Sequence, residues 1–366
     1  MPMGKGFAMT SNLNLGTMLL AGYQRHTKEA PNNQLKPSTK RRKITSLPRL
    51  KIAAIANDTV ATLASLAYTV KSIPNSRVAM GLIVGTGCNA TIPMKVKDLH
   101  ASKQPSATAY ATPTTKDAEI VINTEWTING AARPLKDLGL LTTWDEALDK
   151  ECDAPGFQPF EYMTAGRYLG ELVRLILVDW LTKTIGLDMD DLPKDLGTRN
   201  QLTTTLLATV VAPVEDPSSL VRALNQALPA PKASKWTWDL RSAEMVKKVA
   251  KAVQIRSAAL IAAAVVGLLA CAGELRLQND ASGSKAPETN GVDASQDSKV
   301  EELVVAYTGG LITLYPEFKE ETQRRIDQVL GREGYRNRGK RVVLREASDG
   351  GIIGAGVLAG TVSSSA

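Results

Sequence analysis

Two short polar segments each follow an apolar, strand-like run in the first part of the chain. The first, residues 57–59 (Asn-Asp-Thr), comes directly after residues 51–56. The second, residues 85–90 (Gly-Thr-Gly-Cys-Asn-Ala), follows residues 78–84. Carboxylates accept hydrogen bonds, and side-chain amides both donate and accept them. Because open α/β sheets bind their ligands where strands end, the sequence predicts that both polar segments lie at a ligand site.

The surrounding sequence predicts the elements that must position these segments. Asp58 or Thr59 suits the N-cap of a helix over residues 60–68, because each side chain can accept a bond from a free backbone amide. Apolar runs and helical rhythms then alternate along the chain. They predict strands at 117–123, 302–307 and 341–345, and helices within 156–177, within 179–250, at 316–331 and from 349 onward. With strands at 51–56 and 78–84, the order is three strands, helices, strand, helix, strand, helix.

Composition favours a globular protein without a structural metal site. The chain has 366 residues, 43% of them hydrophobic, which is enough for a sizeable core in two lobes. Its three cysteines lie far apart with no CxxC pair, and it has two histidines. This pattern argues against a zinc site or a disulfide framework and favours a reducing compartment. The first ten residues lack a secretory signal, so we expect a cytoplasmic protein.

The net charge of +7 comes from one segment. Seven basic residues and no acidic residue lie between residues 30 and 51, and the remaining basic and acidic residues are equal in number. The balanced remainder predicts no direct binding to nucleic acid. Within the segment, Lys40-Arg41-Arg42-Lys43 has the composition of a nuclear import signal, which predicts an import receptor as partner and the nucleus as a second location. A solvated basic loop is the alternative.

The longest apolar run, residues 258–273, is rich in alanine. It is shorter than the roughly 18 residues that a membrane-spanning helix needs. The run therefore predicts a helix buried between layers, with no membrane partner, and a membrane span is the less favoured alternative.

Four motifs resemble those of the hexokinase family in order and spacing. They are NDTVATL from residue 57, GLIVGTGCNA from residue 81, VINTEW from residue 121 and PGFQPFEYMTAGRYLGELVRLIL from residue 155. The resemblance runs from Pro2 to about Gly360 and is closest to a divergent fungal branch. It implies an α/β protein with the actin-like, ribonuclease-H-like sugar kinase fold, in which the large lobe is essentially complete and the small lobe only partly present.

The resemblance also implies how the chain divides. Residues 1–56 would be a remnant of the small lobe with a basic insertion at 29–49. Residues 57–347 would be the large lobe with a polar insertion at 278–299, and residues 348–366 a helix that returns to the small lobe. Because the chain begins inside a recognisable motif, a longer chain that starts upstream is an alternative.

The function implied by the resemblance is ATP-dependent phosphorylation, with Mg²⁺, of the 6-hydroxyl of a hexose such as glucose. Asp58 is implied as the general base. The residues implied to bind the sugar are Lys5, Asn57, Asn89, Glu125 and Glu161. Each has a structural alternative, as a turn amide, a strand-end charge, a helix-start carboxylate or an exposed lysine near a terminus.

The nucleotide side departs from the family pattern. The family's phosphate-binding turn, an Asp followed by two glycines and a threonine, occurs nowhere in the sequence, and Ala61 stands where the family has a glycine. A methyl group there would crowd an approaching phosphate. The residues implied to bind ATP are Thr59, Thr86, Gly87, Thr308, Gly309 and Gly350. Of these, Thr308 replaces an aspartate of the family.

The rival prediction is a catalytically degenerate hexokinase-like regulator or sugar sensor. These losses and the basic cluster favour the rival, whereas Asp58 favours the enzyme.

Overall fold

The computed structural model describes residues 14–27, 48–70, 73–104, 118–126, 132–277, 300–332 and 339–363. The chain divides into two compact units, one formed by Asn57–Gly354 and the other by Met1–Ala56 with Ala355–Ala366. Several sequence predictions fall outside the described residues. They concern Lys5, residues 29–47 with the basic cluster Lys40-Arg41-Arg42-Lys43, and the polar insertion at 278–299.

A mixed sheet of five strands forms the framework of the Asn57–Gly354 unit. The strands are β1 (Ser76–Val84), β2 (Cys88–Lys95), β3 (Glu119–Asn123), β4 (Glu301–Thr308) and β5 (Lys340–Glu346). Their spatial order is β3-β2-β1-β4-β5. β2 is antiparallel to both β1 and β3, whereas β4 runs parallel to both β1 and β5. β1 therefore joins an antiparallel half of the sheet to a parallel half.

The described helices complete the two units. In chain order they are α1 (Leu15–Thr27), α2 (Asp58–Val70), α3 (Ala132–Asp137), α4 (Thr143–Lys150), α5 (Pro159–Thr164), α6 (Gly166–Trp180), α7 (Lys194–Gly197), α8 (Thr204–Leu206), α9 (Pro217–Ala227), α10 (Leu240–Cys271), α11 (Gly310–Leu314), α12 (Phe318–Arg332) and α13 (Gly350–Ser363). Short 3₁₀ turns lie at Val96–Asp98 and Met189–Asp191, and π-helical turns follow α6 and α8 at Leu181–Ile185 and Leu207–Val211.

Strand β4 is buried on both faces. Leu303 and Val305 belong to the main hydrophobic core, whereas Val304 and Ala306 belong to a second cluster with Leu66 of α2. Side chains alternate between the faces of a strand, so one continuous apolar run serves two cores. This accounts for the unbroken hydrophobic sequence that predicted the strand.

Helix α10 contains the longest apolar run. Asp239 caps its start by accepting a bond from the amide of Ser242 at 2.7 Å. Within the described residues, α10 is a helix whose length and apolar composition would allow it to cross a membrane, and half of its most apolar window is buried inside the protein. Ile261, Val265 and Leu269 are completely buried there. The predicted helix at 258–273 is thus confirmed as the second half of α10, packed into the main core.

Two of the predictions for the N-terminal part were wrong. Residues 51–56 form neither strand nor helix, and Ile55 is 45% exposed, so the segment gains no sheet partner and little burial. The polar segment expected after the strand, residues 85–90, is itself half strand, because β2 already begins at Cys88 and forms a hairpin with β1. The helix predicted at 60–68 is confirmed as α2, which begins at Asp58. The strands predicted at 78–84, 117–123, 302–307 and 341–345 are confirmed as β1, β3, β4 and β5.

An ion pair with a buried carboxylate links α4 to α10. Arg256 donates from both terminal nitrogens to the two carboxylate oxygens of Asp145, each at 2.7 Å. Thr142 donates to the same carboxylate through its amide and its hydroxyl. Burial alone would raise the pKa of Asp145, but the bonds and the charge of Arg256, together with Thr142, hold the pKa below its usual range. Asp145 therefore stays ionised in the folded protein.

We expect Arg256→Met to lower the free energy of unfolding at pH 7 by about 3–5 kcal/mol, because it leaves the Asp145 carboxylate buried and unpaired. Since folding lowers this pKa, the pair stabilises the protein above about pH 4 and stops doing so as the pH falls through the lowered pKa. Urea unfolding at several pH values measures both effects. The control is Lys183→Met, which removes an ammonium that is 77% exposed beside Asp179 and should cost less than about 1 kcal/mol. Equal losses for the two variants would contradict the assignment.

Candidate functional site

The N-terminus of α2 carries the first group of candidate residues. The amide of Thr59 donates to Asn57 Oδ1 and to Asp58 Oδ1, both at 2.9 Å. The Thr59 hydroxyl is fully buried and lies 2.5 Å from the hydroxyl of Thr91 on β2. The Asp58 side chain itself is exposed. Thr59 thus anchors the start of α2 to the sheet, and the Asp58 carboxylate faces solvent at a fixed point beside it.

A second group lies where β2 and β3 pair. The Asn89 amide nitrogen donates to Asn123 Oδ1 at 2.8 Å and to Glu125 Oε1 at 3.2 Å. Asn123 in turn donates to the same oxygen of Glu125 at 2.9 Å. The three side chains therefore form a closed triangle of hydrogen bonds, which we call the polar triangle.

The backbone at Glu125 is held in an uncommon conformation. Its φ is +43°, in the left-handed region that residues other than glycine rarely adopt. The neighbouring Thr124 fixes this turn, because its amide and hydroxyl both donate to the carbonyl of Ala90, at 3.0 and 2.8 Å. Such outliers occur where the surrounding structure over-determines them, often at functional sites. The turn aims the Glu125 carboxylate back toward Asn89.

Glu161 approaches the same region from the helical layer. It lies on α5, and its Oε2 would be 3.6 Å from a Cβ placed on Gly87. Next to Gly87, the thiol of Cys88 is buried, and burial raises its pKa to about 12, with the Glu161 charge acting in the same direction. The turn between β1 and β2 therefore has a carboxylate and a buried, un-ionised thiol beside it.

Three backbone segments meet without intervening side chains at one point, which we call the glycine junction. It consists of Gly85 after β1, Gly166 at the start of α6 and Gly309 after β4. The amide of Gly166 donates to the Gly85 carbonyl at 2.7 Å. Gly309 has φ +120°, and a Cβ there would lie 2.5 Å from the carbonyl carbon and oxygen of Val84. No other residue type fits at Gly309 without moving the backbone.

A cavity of about 320 Å³ opens beside the glycine junction. Backbone, hydroxyl and apolar groups line it, together with one guanidinium, and we call it the junction cavity. Its lining residues are Gly85, Thr86, Gly166, Arg167, Thr204, Thr205, Ala208, Thr209, Gly310, Leu311, Leu314 and Tyr315. Its volume lies at the lower end of the range of small-molecule sites. Among the described residues that line it there is no carboxylate.

Comparison with known proteins decides the family. The model of the family described as Hexokinase matches residues 79–361. The chain belongs to the hexokinase family. It is 30% identical to hexokinase-1 of Nicotiana tabacum over 311 residues, covering 85% of this chain and 53% of that protein. It is 38% identical to the hexokinase of Schistosoma mansoni over 176 residues, covering 47% of this chain and 34% of that protein.

Solved hexokinase structures share the fold. The structure of hexokinase from Schistosoma mansoni complexed with glucose superimposes with a TM-score of 0.62 at 28% identity, covering 84% of this chain and 57% of that one. A second hexokinase crystal structure gives a TM-score of 0.58 at 24% identity, covering 83% and 54%. These likenesses confirm the predicted actin-like sugar kinase fold. The chain spans about half the length of the hexokinases that it matches.

The sugar-side candidates within the described residues lie around β2. Asn57 and Asp58 are tied to it through the contact between Thr59 and Thr91. Asn89 is its second residue, and Glu125 is bonded to Asn89. Glu161 reaches the turn just before it. Lys5 lies outside the described residues.

The nucleotide-side candidates are more dispersed. Thr86 lines the junction cavity, and Gly309 packs against Gly85 beneath it. Thr59 and Gly87 lie instead on the sugar side. Thr308 ends β4, and Gly350 begins α13 against Ala347 and Thr62. Ala61, where the motif predicted crowding of a phosphate, is 3% exposed, and its carbonyl faces Gly354.

Sequence reasoning missed several residues that the structure brings to the candidate site. Asn123 completes the polar triangle, and its position two residues before Glu125 in VINTEW could have indicated it. Arg167 directly follows the motif glycine Gly166. The cavity also contains Thr204, Thr205 and Thr209, for which a cluster of threonines in residues 203–209 was the available signal.

We expect Gly309→Ala to lower the free energy of unfolding by more than about 2 kcal/mol, because a methyl group would strike the Val84 carbonyl and the backbone conformation is strained for alanine. Urea unfolding of the purified chain measures the loss. The adjacent Gly310→Ala is the matched control: the nearest atom to its new methyl group is 4.0 Å away, so its stability should change by less than about 0.5 kcal/mol. A tolerant Gly309→Ala variant would show that the glycine junction is not the tight contact described.

Proposed function

We propose that the chain acts as a hexokinase-type phosphotransferase, transferring the γ-phosphoryl group of ATP to the 6-hydroxyl of a hexose such as glucose. The observation that carries the proposal is the convergence of Asp58, Asn89, Glu125 and Glu161 on β2 and the turn that precedes it. Family membership supports it, as does the likeness to a hexokinase complexed with glucose.

The polar triangle suits a sugar. Glu125 and Glu161 can accept hydrogen bonds from hydroxyl groups, and the amides of Asn57 and Asn89 can both donate and accept. Because Asn123 bonds to both Asn89 and Glu125, their donor and acceptor atoms are oriented before a ligand arrives. Side chains that are already fixed lose less conformational entropy when a ligand binds than flexible side chains would.

Asp58 is placed to act as the base. One of its oxygens accepts the Thr59 amide, which fixes the carboxylate at the helix start while its side chain remains exposed. In the proposed step, Asp58 takes the proton of the 6-hydroxyl as that oxygen bonds to the γ-phosphorus. The bond to the β,γ-bridging oxygen breaks, and ADP leaves.

The junction cavity is the proposed nucleotide site. Its hydroxyl groups and the Arg167 guanidinium are donors suited to phosphate oxygens, and its apolar wall at Leu311 and Leu314 suits a base. Among the described residues no cluster of three or more metal-binding side chains occurs. Mg²⁺ commonly needs no such cluster, because it binds through phosphates with one or two carboxylates and neutralises the phosphate charge during transfer. The residues present therefore fit a nucleotide better than a metal held by protein alone.

We expect Asp58→Asn to lower the rate of glucose phosphorylation by about 10²–10⁴-fold with glucose binding retained, because only proton acceptance is lost. A coupled assay with MgATP and calorimetric titration of glucose measure the two quantities. Asp98→Asn, at an exposed carboxylate in the turn after β2, is the control and should leave the rate unchanged. Turnover by Asp58→Asn equal to that of the unmodified chain would remove Asp58 from the role of base.

We expect Arg167→Leu to weaken binding of a non-hydrolysable ATP analogue by about tenfold, because a charge-assisted hydrogen bond to phosphate is lost. Calorimetry in the presence of magnesium measures the affinity. The matched control is Arg133→Leu on α3, whose side chain is 88% exposed and does not line the cavity. Equal affinities of the two variants would place the nucleotide elsewhere.

The second candidate function is a hexokinase-like sugar sensor without turnover. The observation that favours it is the junction cavity, whose lining offers one guanidinium and no carboxylate among the described residues. Electrostatic stabilisation of the moving phosphoryl group supplies most of the catalysis in this chemistry, so too few charged groups would leave sugar binding intact and transfer slow. Saturable glucose binding by a chain that produces no sugar phosphate would establish this alternative.

A further inference from the structure

A second and larger cavity, of about 780 Å³, lies beside the first half of α10. The first half of α10 forms one wall, the turn from residue 211 to residue 215 forms another, and Tyr315–Glu317 closes the third. Its volume falls well within the range of small-molecule sites. None of the hexokinase motifs contributes a residue to it, so it needs its own explanation. We call it the α10 cavity.

The body of the α10 cavity is apolar. Val211, Pro213, Ile255 and Pro316 contribute aliphatic surface, and Tyr315 contributes a ring that is buried to 94%. Gln254 is buried behind this surface, and its amide donates to the carbonyl of Pro316 at 2.7 Å. The wall is therefore preformed, because a buried hydrogen bond holds the Tyr315–Glu317 segment against α10.

Three ion pairs line the mouth, and in two of them the cation lies deeper than the anion; in the third, Lys248 and Glu244 are exposed to similar extents, 67% and 59%. Lys247 bonds to the Val214 carbonyl at 2.6 Å and lies 3.3 Å from Glu215; the lysine side chain is 33% exposed and the glutamate 90%. Lys251 bonds to Glu317 at 2.6 Å, with exposures of 43% and 73%. The two ammonium groups thus lie nearer the cavity wall, and their carboxylate partners lie in solvent.

An exposed ion pair of this kind contributes little stability, because water already solvates both partners. A ligand anion that brings an apolar body into the cavity can replace Glu317 beside Lys251. Because the mouth is partly exposed, this anion loses less hydration than it would in a fully buried ion pair. The backbone of Glu317 has φ +61°, a conformation that is uncommon for residues other than glycine, and its side chain lies at the mouth.

We propose that the α10 cavity is a binding site for an amphipathic organic anion: an aromatic or short alkyl body that fills the apolar wall, carrying one phosphate, sulfonate or carboxylate group that pairs with Lys251 and Lys247. Glu317 occupies the position of that anion in the free protein. The site is independent of the proposed sugar and nucleotide sites, although Tyr315 lines both the α10 cavity and the junction cavity.

The test uses 8-anilinonaphthalene-1-sulfonate, a fluorescent aromatic anion, titrated into the purified 366-residue chain. We expect saturable binding of one equivalent. Ala252→Trp places a large side chain into the cavity from an exposed position on α10 and should weaken binding by about tenfold or more. Ala263→Trp, at an exposed alanine on the same helix outside the cavity, is the matched control and should bind as the unmodified chain does.

Two charge variants predict opposite changes. Lys251→Met removes the cation and should weaken binding about tenfold, whereas Glu317→Gln frees the cation and should strengthen binding several-fold. A non-specific apolar patch would respond to neither change, and equal melting temperatures of the variants exclude partial unfolding as the cause. Absence of saturable binding, wild-type affinity in Ala252→Trp, or changes of the same sign in the two charge variants would each overturn the proposal.

Discussion

The direct backbone contact of Gly85, Gly166 and Gly309 is the constraint on which both candidate sites depend. It brings the ends of β1 and β4 together and places the first residue of α6 against them. The segment that follows Gly85 serves both sites. Thr86 lines the junction cavity, and Asn89 belongs to the polar triangle. A side chain at Gly309 would separate the strand ends, and the residues of both sites would shift relative to each other.

The apolar pattern predicted most of the fold. β1 and β4 contain nearly continuous hydrophobic runs because both faces of these strands are covered, and α10 follows from its length and composition. The strand predicted at residues 51–56 does not form, because an apolar run becomes a strand only where another strand is available to pair with it. β2 was missed for the opposite reason: Asn89, Pro93 and Lys95 make its sequence resemble a loop, and only pairing with β1 and β3 makes it a strand.

The candidate site was predictable to the extent that its residues lie in motifs. Family resemblance supplied roles for Asp58, Asn89 and Glu125, and the structure brings them together around β2. Asn123 was missed because its bond to Asn89 joins residues that are 34 positions apart and becomes visible only once the strands are paired. Thr204 was missed for the same reason, since its hydroxyl accepts from the amide of Gly170 and donates to the carbonyl of Gly166 across a similar separation.

Strand β3 carries Asn123 at its end, yet in the described sheet it pairs with β2 alone and has no fully buried residue. An edge strand with exposed Val121 opens more readily than the central strands, so its amides should exchange with solvent before those of β1 or β4. The polar triangle therefore persists only as long as β3 stays closed. The rate of this local opening, rather than global stability, sets how long Asn89, Asn123 and Glu125 keep their mutual hydrogen bonds.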